Sequence, residues 1–310
     1  MFRLFQRIGV KRGAQVGIRQ YATYRRFNAP QHQVDWNKRA QWGGGFLILG
    51  GIVYVSNLDS APYSNRNRFI IIGPKLEKKI GERGYRETMS EFGRHILPDN
   101  HPQTIRVKRI MDRLIRASQL EHMDWKIHVI DDPKAPPNAF VLPSGKVFVF
   151  TSILPICHND DGLATVLAHE TGHQLARHTA ENLSKTPFYV VLGLLLSTVT
   201  GADMINRLVV NTLFQLPASR EMEREADYIG LMMMSKACFN PSEAVHVWER
   251  MTRFEQKMAK GSSKVPEFLS THPTSSNRIT LIQQWLSEAN SVRSQAGCDE
   301  FGGLMDSFWR

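Results

Sequence analysis

Two histidines four residues apart, with a glutamate beside the first, stand at His169-Glu170-Thr171-Gly172-His173. Positions i and i+4 lie one helical turn apart on one face, so on a helix both imidazoles can reach a single zinc ion. Glu170 then projects beside the metal without binding it, placed to take a proton from a zinc-bound water and later pass it to a leaving amine. That is the chemistry of peptide-bond hydrolysis. The plainer alternative is a surface helix with two incidental histidines. Gly172 argues against it, because glycine inside a helix costs about 1 kcal/mol relative to alanine and is unusual there without a reason.

A catalytic site that keeps an open position needs a third protein ligand. The extended pattern with a third histidine fails, since Ala176 and Thr179 occupy its glycine and histidine places. His178, nine residues from His169, projects from the opposite face of a continuous helix and is expected to be solvent-exposed. Downstream, ASREMEREADYIG (Ala218 to Gly230) reads as a second helix, dense in acids, with Glu223 and Asp227 on one face. One carboxylate can complete the metal's ligands while the other accepts the N–H of a ligating histidine. Standing alone, this helix would read as a solvated charged face.

The elements that must position these residues follow from periodicity. Asp160 or Asp161 is expected to cap the metal helix, with Leu163, Val166, Leu167 and Ala176 as its packing face. Val107, Ile110, Met111, Leu114 and Ile115 give an earlier helix an apolar face. Trp125 to Ile130 and Ala139 to Phe150 are β-rich runs, the second broken by a Pro-Ser-Gly turn. Helices and strands in separate blocks predict an α+β fold, mainly helical with a small β-sheet. The strand Lys146–Phe150, just before the metal helix, is expected to offer an edge to which an extended peptide adds; the plainer reading is an ordinary sheet strand.

The combination of HETGH with SREMEREAD resembles the membrane-associated zinc metallopeptidases that include bacterial HtpX and the CAAX prenyl endopeptidases. NAFVLPSG (Asn138 to Gly145) followed by KVFVF (Lys146 to Phe150) resembles the strand pair before that family's metal helix, and STHPTSSNRI (Ser270 to Ile279) its C-terminal His-Pro…Arg motif. The resemblance runs from about Gln103 to Leu286, in the family's order. It implies a zincin-type metalloprotease domain holding one Zn²⁺ per chain on His169, His173 and Glu223, with Asp227 outside the ligands. Glu170 is the expected base. The resemblance also places His272 near the site as a donor to the developing oxyanion, and Arg278 as a tie to the acidic helix through Asp227. The substrate strand would comprise Asn138, Ala139, Lys146, Val147 and Phe148.

Charge and hydropathy say where such a domain would work. Of 39 Lys+Arg in the chain, nine fall in residues 1–40 against one acid, Asp35, so the body is nearly neutral and nucleic-acid binding is not expected. The first residues, MFRLFQRIGVKRGAQVGIRQYATYRRF, are Arg-rich and acid-free, with Arg3, Arg7 and Lys11 along one helical stripe, the features of a mitochondrial presequence. A solvated basic tail is the alternative. Residues 41–58 form an apolar window preceded by Lys38 and Arg39 and are expected to be a transmembrane anchor; a glycine-rich loop leading to a buried strand is the alternative. A second apolar stretch, 187–216, is either a helical hairpin on the domain or a segment dipping into the bilayer.

The expected organisation is a basic presequence segment over 1–40, an anchor over 41–58 and a membrane-proximal linker over 59–102. A metallopeptidase domain over 103–290, with its insertion, precedes a tail over 291–310 expected to end in a simple helix. Cys157, Cys238 and Cys298 form no C-x-x-C pair and are expected to be free or buried thiols. Within the family, the presequence and single anchor are most similar to the stress-activated metalloendopeptidase of the mitochondrial inner membrane. That resemblance implies membrane-protein substrates bound as extended peptides, a lipid bilayer as partner, homo-oligomers, and a catalytic domain facing the intermembrane space. The competing functions are a prenyl-peptide or general processing protease of another membrane, a zinc hydrolase acting on a different bond, and an inactive zinc scaffold.

Overall fold

The computed structural model describes residues 36–61, 64–132, 134–186, 220–261, 272 and 276–298. The N-terminal basic segment through residue 35, the apolar insertion 187–216 and the tail from 299 lie outside them. The chain divides into two units, 1–51 and 52–310.

In the first unit the described residues belong to helix α1 (Trp36–Ser56). Lys38, Arg39 and Gln41 occupy its start and five glycines dilute the rest. Among the described residues no helix is both long and apolar enough to cross a membrane. Within the window 41–58, α1 ends at Ser56, where the Asn57 side chain takes the Val53 carbonyl (2.8 Å), and Leu58 begins a strand.

The second unit opens with an antiparallel ribbon of β1 (Leu58–Ser60) and β2 (Asn67–Phe69). Helix α2 (Pro74–Phe92) follows, begun by a proline whose missing N–H has no partner to lose there. Helix α3 (Pro102–Ser118) buries Val107, Ile110, Met111 and Leu114, the face its periodicity predicts. The sheet is β3 (Lys126–Ile130), β4 (Ala139–Leu142) and β5 (Lys146–Phe150), in the order β3-β5-β4. β4 and β5 form a hairpin whose Gly145 adopts φ +79°, a conformation that side chains disfavour.

β5 is therefore the central strand, paired parallel to β3 and antiparallel to β4, and it presents no free edge. This corrects the expected substrate edge at Lys146, Val147 and Phe148. All three are buried, the Lys146 ammonium lying 2.7 Å from the Asp124 carboxylate and 2.7 Å from its carbonyl. Strand alternation explains the burial of both faces. Val147 and Val149 face the main core, while Phe148 and Phe150 pack with Ile130 against Tyr85, Met89 and Phe92.

After a single-turn helix α4 (Leu154–Cys157) comes α5 (Asp160–Leu175), buried without interruption from Gly162 to His173. Its cap is Asn159, whose Oδ1 accepts from Gly162 N (2.7 Å), not either aspartate. Asp160 instead pairs with Arg106 and Arg109 of α3, and Asp161 accepts from Asn240 N. A turn at Ala176 and Arg177 separates α5 from helical residues 178–186, here α6. Helices α7 (Arg220–Lys236), α8 (Glu243–Gly261) and α9 (Ser276–Gln295) complete the unit. Cys238 and Cys298 form a disulfide between the ends of α7 and α9, correcting the expectation of free thiols; Cys157 is free and buried. The architecture is α+β and mainly helical, as periodicity predicts.

Candidate active site

α5 carries His169, Glu170 and His173 into the interior, and α7 lies across it with Glu223 and Asp227 turned inward. The close approach explains Gly172. A Cβ there would sit 3.0 Å from the Ala226 carbonyl oxygen, and one on Gly230 would sit 2.8 Å from the His169 nitrogen. The helices meet through small residues, so the cost of glycine is offset by bringing the carboxylates of one helix to the imidazoles of the other. Glu223, Glu225 and Asp227 of α7 are accordingly buried rather than solvated, while Glu221 stays exposed.

Four donors converge. His169 Nε2 lies 3.1 Å from His173 Nε2, 3.5 Å from Glu223 Oε2 and 3.3 Å from His272 Nδ1. His173 Nε2 is 3.4 Å from Glu223 Oε1, which His272 Nδ1 approaches to 3.0 Å. One ligand atom from each of His169, His173, Glu223 and His272 falls within 4.8 Å of the others. Ligands about 2.0–2.1 Å from a tetrahedral ion stand about 3.3 Å apart, so these spacings and an imidazole-carboxylate donor set fit zinc. Glu170 lies beside the cluster, its buried Oε1 without a hydrogen-bond partner among the described residues and 3.5 Å from His272 Nε2.

Around the donors a second ring of charges sets orientation. His169 Nδ1 faces Asp227 Oδ1 at 3.0 Å. Arg278 of α9 grips Asp227 with two bonds of 2.7 Å, reaches Glu223 Oε2 at 3.0 Å, and stacks 3.8 Å over Trp248 of α8. Arg278 thus links α9 to the acidic helix α7.

The electrostatics follow from this packing. Burial raises the Glu170 carboxyl above the ordinary range, which suits a group that must hold and release a proton. Burial pushes Glu223 and Asp227 upward too, but the histidines and Arg278 outweigh it and hold both ionised. Burial also opposes charge on His169, yet Asp227 and Glu223 carry it up to about 9; His173, against which burial wins, falls well below its usual value.

His178 is not the exposed residue the sequence suggests. It is buried, with Nδ1 2.8 Å from His173 Nδ1 and Nε2 2.9 Å from Glu225 Oε2. The expectation assumed a continuous helix. Arg177 breaks it in the left-handed region at φ 53°, held there by Glu77 and the Ile72 carbonyl, and the new phase returns His178 to the back of His173. Glu225 lies within the acidic motif without a role marked there, and Arg66 and Trp248 lie outside every motif.

Asn138 immediately precedes β4 and Ala139 begins it; β4 flanks α5 through a bond from Gln174 Nε2 to the Val141 carbonyl (2.8 Å). Phe150 N donates to the Asn138 carbonyl (3.0 Å), so alternation turns the backbone groups of Asn138 and Phe140 toward β5 and those of Ala139 and Val141 toward the outer edge.

Residues 102–286 match the family model described as peptidase family M48. The chain is 48% identical over 307 residues to the mitochondrial metalloendopeptidase OMA1 of Saccharomyces cerevisiae, covering 93% of this chain and 88% of that protein. Identity to the protein of that name in Schizosaccharomyces pombe is 46% over 275 residues, covering 88% and 80%. To the mitochondrial metalloendopeptidase OMA1 of Homo sapiens it is 29% over 268 residues, covering 82% and 50%.

Proposed function

The chain belongs to peptidase family M48 and is a metalloendopeptidase, and from that premise we propose that it is a zinc enzyme of the mitochondrial inner membrane that cleaves membrane proteins in quality control or stress response. The observation that carries this reading is the convergence of His169, His173 and Glu223 with Glu170 beside them. These three residues would hold the ion. When bound, it supplies a Lewis acid that polarises a carbonyl and lowers the pKa of a water toward about 7.

The protein's own groups do the rest. Glu170 takes the proton of the attacking water and returns it to the amine of the departing peptide. Arg278 keeps Asp227 ionised, the histidines do the same for Glu223, and Asp227 holds the His169 ring in one orientation. An extended substrate adds along the outer edge of β4, its main chain meeting Ala139, so recognition depends little on side chains. Two roles fit His272: its Nδ1 stands in the donor set, and its Nε2 faces Glu170, where a donor to the developing oxyanion belongs.

The expected presequence and the expected anchor over 41–58 would place residues 103–290 in the intermembrane space. Exposure of Ile48, Leu49, Ile52 and Val55 on α1 supports an apolar partner such as lipid for that helix. The Cys238–Cys298 bond supports a compartment in which disulfides persist. Import into isolated mitochondria followed by protease protection tests the placement: a catalytic domain protected after the outer membrane is opened would refute it.

The site itself is tested by comparing the wild type and Glu170→Gln for zinc content and for cleavage of a membrane-protein substrate in liposomes. Both should bind about one zinc, and turnover of the variant should fall roughly 10²–10⁴-fold. Equal cleavage by the variant would remove Glu170 from the mechanism.

A further inference from the structure

We propose that His178 and Glu225 are positioning residues for the metal ligand His173, acting through a buried hydrogen-bonded relay fixed by Arg66. The proposal rests on the reading above that His173 binds the ion through Nε2.

A neutral imidazole that offers Nε2 to a metal carries its proton on Nδ1, and the partner of that N–H sets the ring's orientation and basicity. For His169 the partner is Asp227, clamped by Arg278. For His173 it is neither a carboxylate nor a carbonyl but His178 Nδ1, 2.8 Å away. His178 must accept at Nδ1, so its own proton sits on Nε2, where it donates to Glu225 Oε2 at 2.9 Å. Every proton in the series has one place to be.

The far end is anchored by charge. Arg66 donates to Glu225 through Nε (2.8 Å) and Nη2 (3.1 Å), and Ser64 Oγ donates to the same carboxylate at 2.5 Å. Arg66 also grips Glu181 of α6 with bonds of 2.9 and 2.7 Å, and Lys185 adds another at 2.7 Å. His178, Glu181 and Glu225 are all buried, so water cannot readily replace a missing member. The two ligand histidines are thus steadied by separate carboxylate–arginine clamps, one direct and one through an intervening imidazole. Ser64 and Arg66 belong to the segment between β1 and β2, so the orientation of His173 depends on a part of the chain more than 100 residues away in sequence.

The test loads the full chain with Co²⁺ or Zn²⁺ and measures metal affinity by chelator competition, the visible spectrum of the cobalt form, and turnover. His178→Phe keeps a ring of similar size but neither bond; His178→Gln keeps an acceptor and a donor on one planar group. Phe should weaken metal affinity roughly 10–100-fold, shift the cobalt spectrum and lower kcat with KM little changed, and Gln should recover most of each. A folded His178→Phe protein with wild-type affinity and cobalt spectrum would overturn the proposal. Should the Phe variant fail to fold, Glu225→Gln and Arg66→Gln serve instead: smaller losses in the same direction support the relay, and unchanged affinity and spectrum in both overturn it. His173→Ala separates the two readings. If it retains full metal binding, His173 is no ligand and the underlying assignment falls. If it loses the metal while the His178 variants do not, only the relay falls.

Discussion

Arg278 is a buried cation that two buried carboxylates require. Removing one member of such a cluster leaves uncompensated charge in a low-dielectric interior, which typically costs about 3–5 kcal/mol. Arg278→Ala should therefore lower the unfolding midpoint of the metal-free protein markedly, and Arg278→Lys, which lacks the two-pronged fit to Asp227, should recover only part of it. Denaturant melts of the three proteins check this. A loss confined to activity with wild-type stability would mean that the cluster tolerates its own charge. For His272, zinc content decides between the two roles in His272→Ala. Metal lost together with turnover makes it a ligand; metal retained with turnover lost makes it the oxyanion donor. Near wild-type turnover would remove both.

At the scale of elements, the contact between α5 and α7 is set by Gly172 and Gly230. Alanine would gain about 1 kcal/mol of helix propensity at each. Against that, its methyl would meet backbone atoms of the facing helix at 2.8–3.0 Å, and overpacking of this kind costs about 1–3 kcal/mol. The clash should win: Gly230→Ala is expected to lower both stability and zinc affinity, since it moves Glu223 away from the histidines. A more stable variant with unchanged zinc binding would show that the helices have room to separate.

The sheet offers a pH test away from the site. His128 on β3 is stacked against Phe148 and Tyr85, whose hydroxyl lies 3.3 Å from its Nε2. Burial lowers its pKa; Asp99 pulls the other way, while Lys108, Lys126 and Lys146 reinforce the fall. A histidine whose folded pKa lies below its unfolded value of about 6.5 binds fewer protons folded than unfolded, so its contribution to stability shrinks as pH falls below that value. Wild type should lose more stability between pH 7 and 5 than His128→Phe does. Equal losses would show that this ring does not contribute to acid sensitivity.

For the whole molecule, the Cys238–Cys298 bond closes a 60-residue separation that takes in the whole of α8 and α9, including the segment carrying His272 and Arg278. Chain-entropy reasoning gives such a crosslink about 4 kcal/mol, acting on the unfolded state. Reduction, or Cys298→Ser, should lower the melting temperature of the protein, and an unchanged melt would mean that native packing already supplies the constraint. The same bond links elements on both sides of the site, α7 with Glu223 and α9 with Arg278.

What the sequence determines by itself is what lies within a few residues. The four-residue step from His169 to His173, the matching step from Glu223 to Asp227, the apolar face of α3 and the hairpin at Gly145 all follow from helical and strand periods or from one backbone conformation. Motif order adds His272 and Arg278. The tertiary structure alone decides which strand is central, because the alternation of β5 is the same whether its neighbours number one or two. It alone pairs Cys238 with Cys298 and brings Arg66 to Glu225, since no local pattern encodes a partner 60 or 159 residues away. His178 falls between the two. Its position relative to His173 is local, but Arg177 is held at positive φ by Glu77 and Ile72, and that distant support turns an apparently exposed histidine inward.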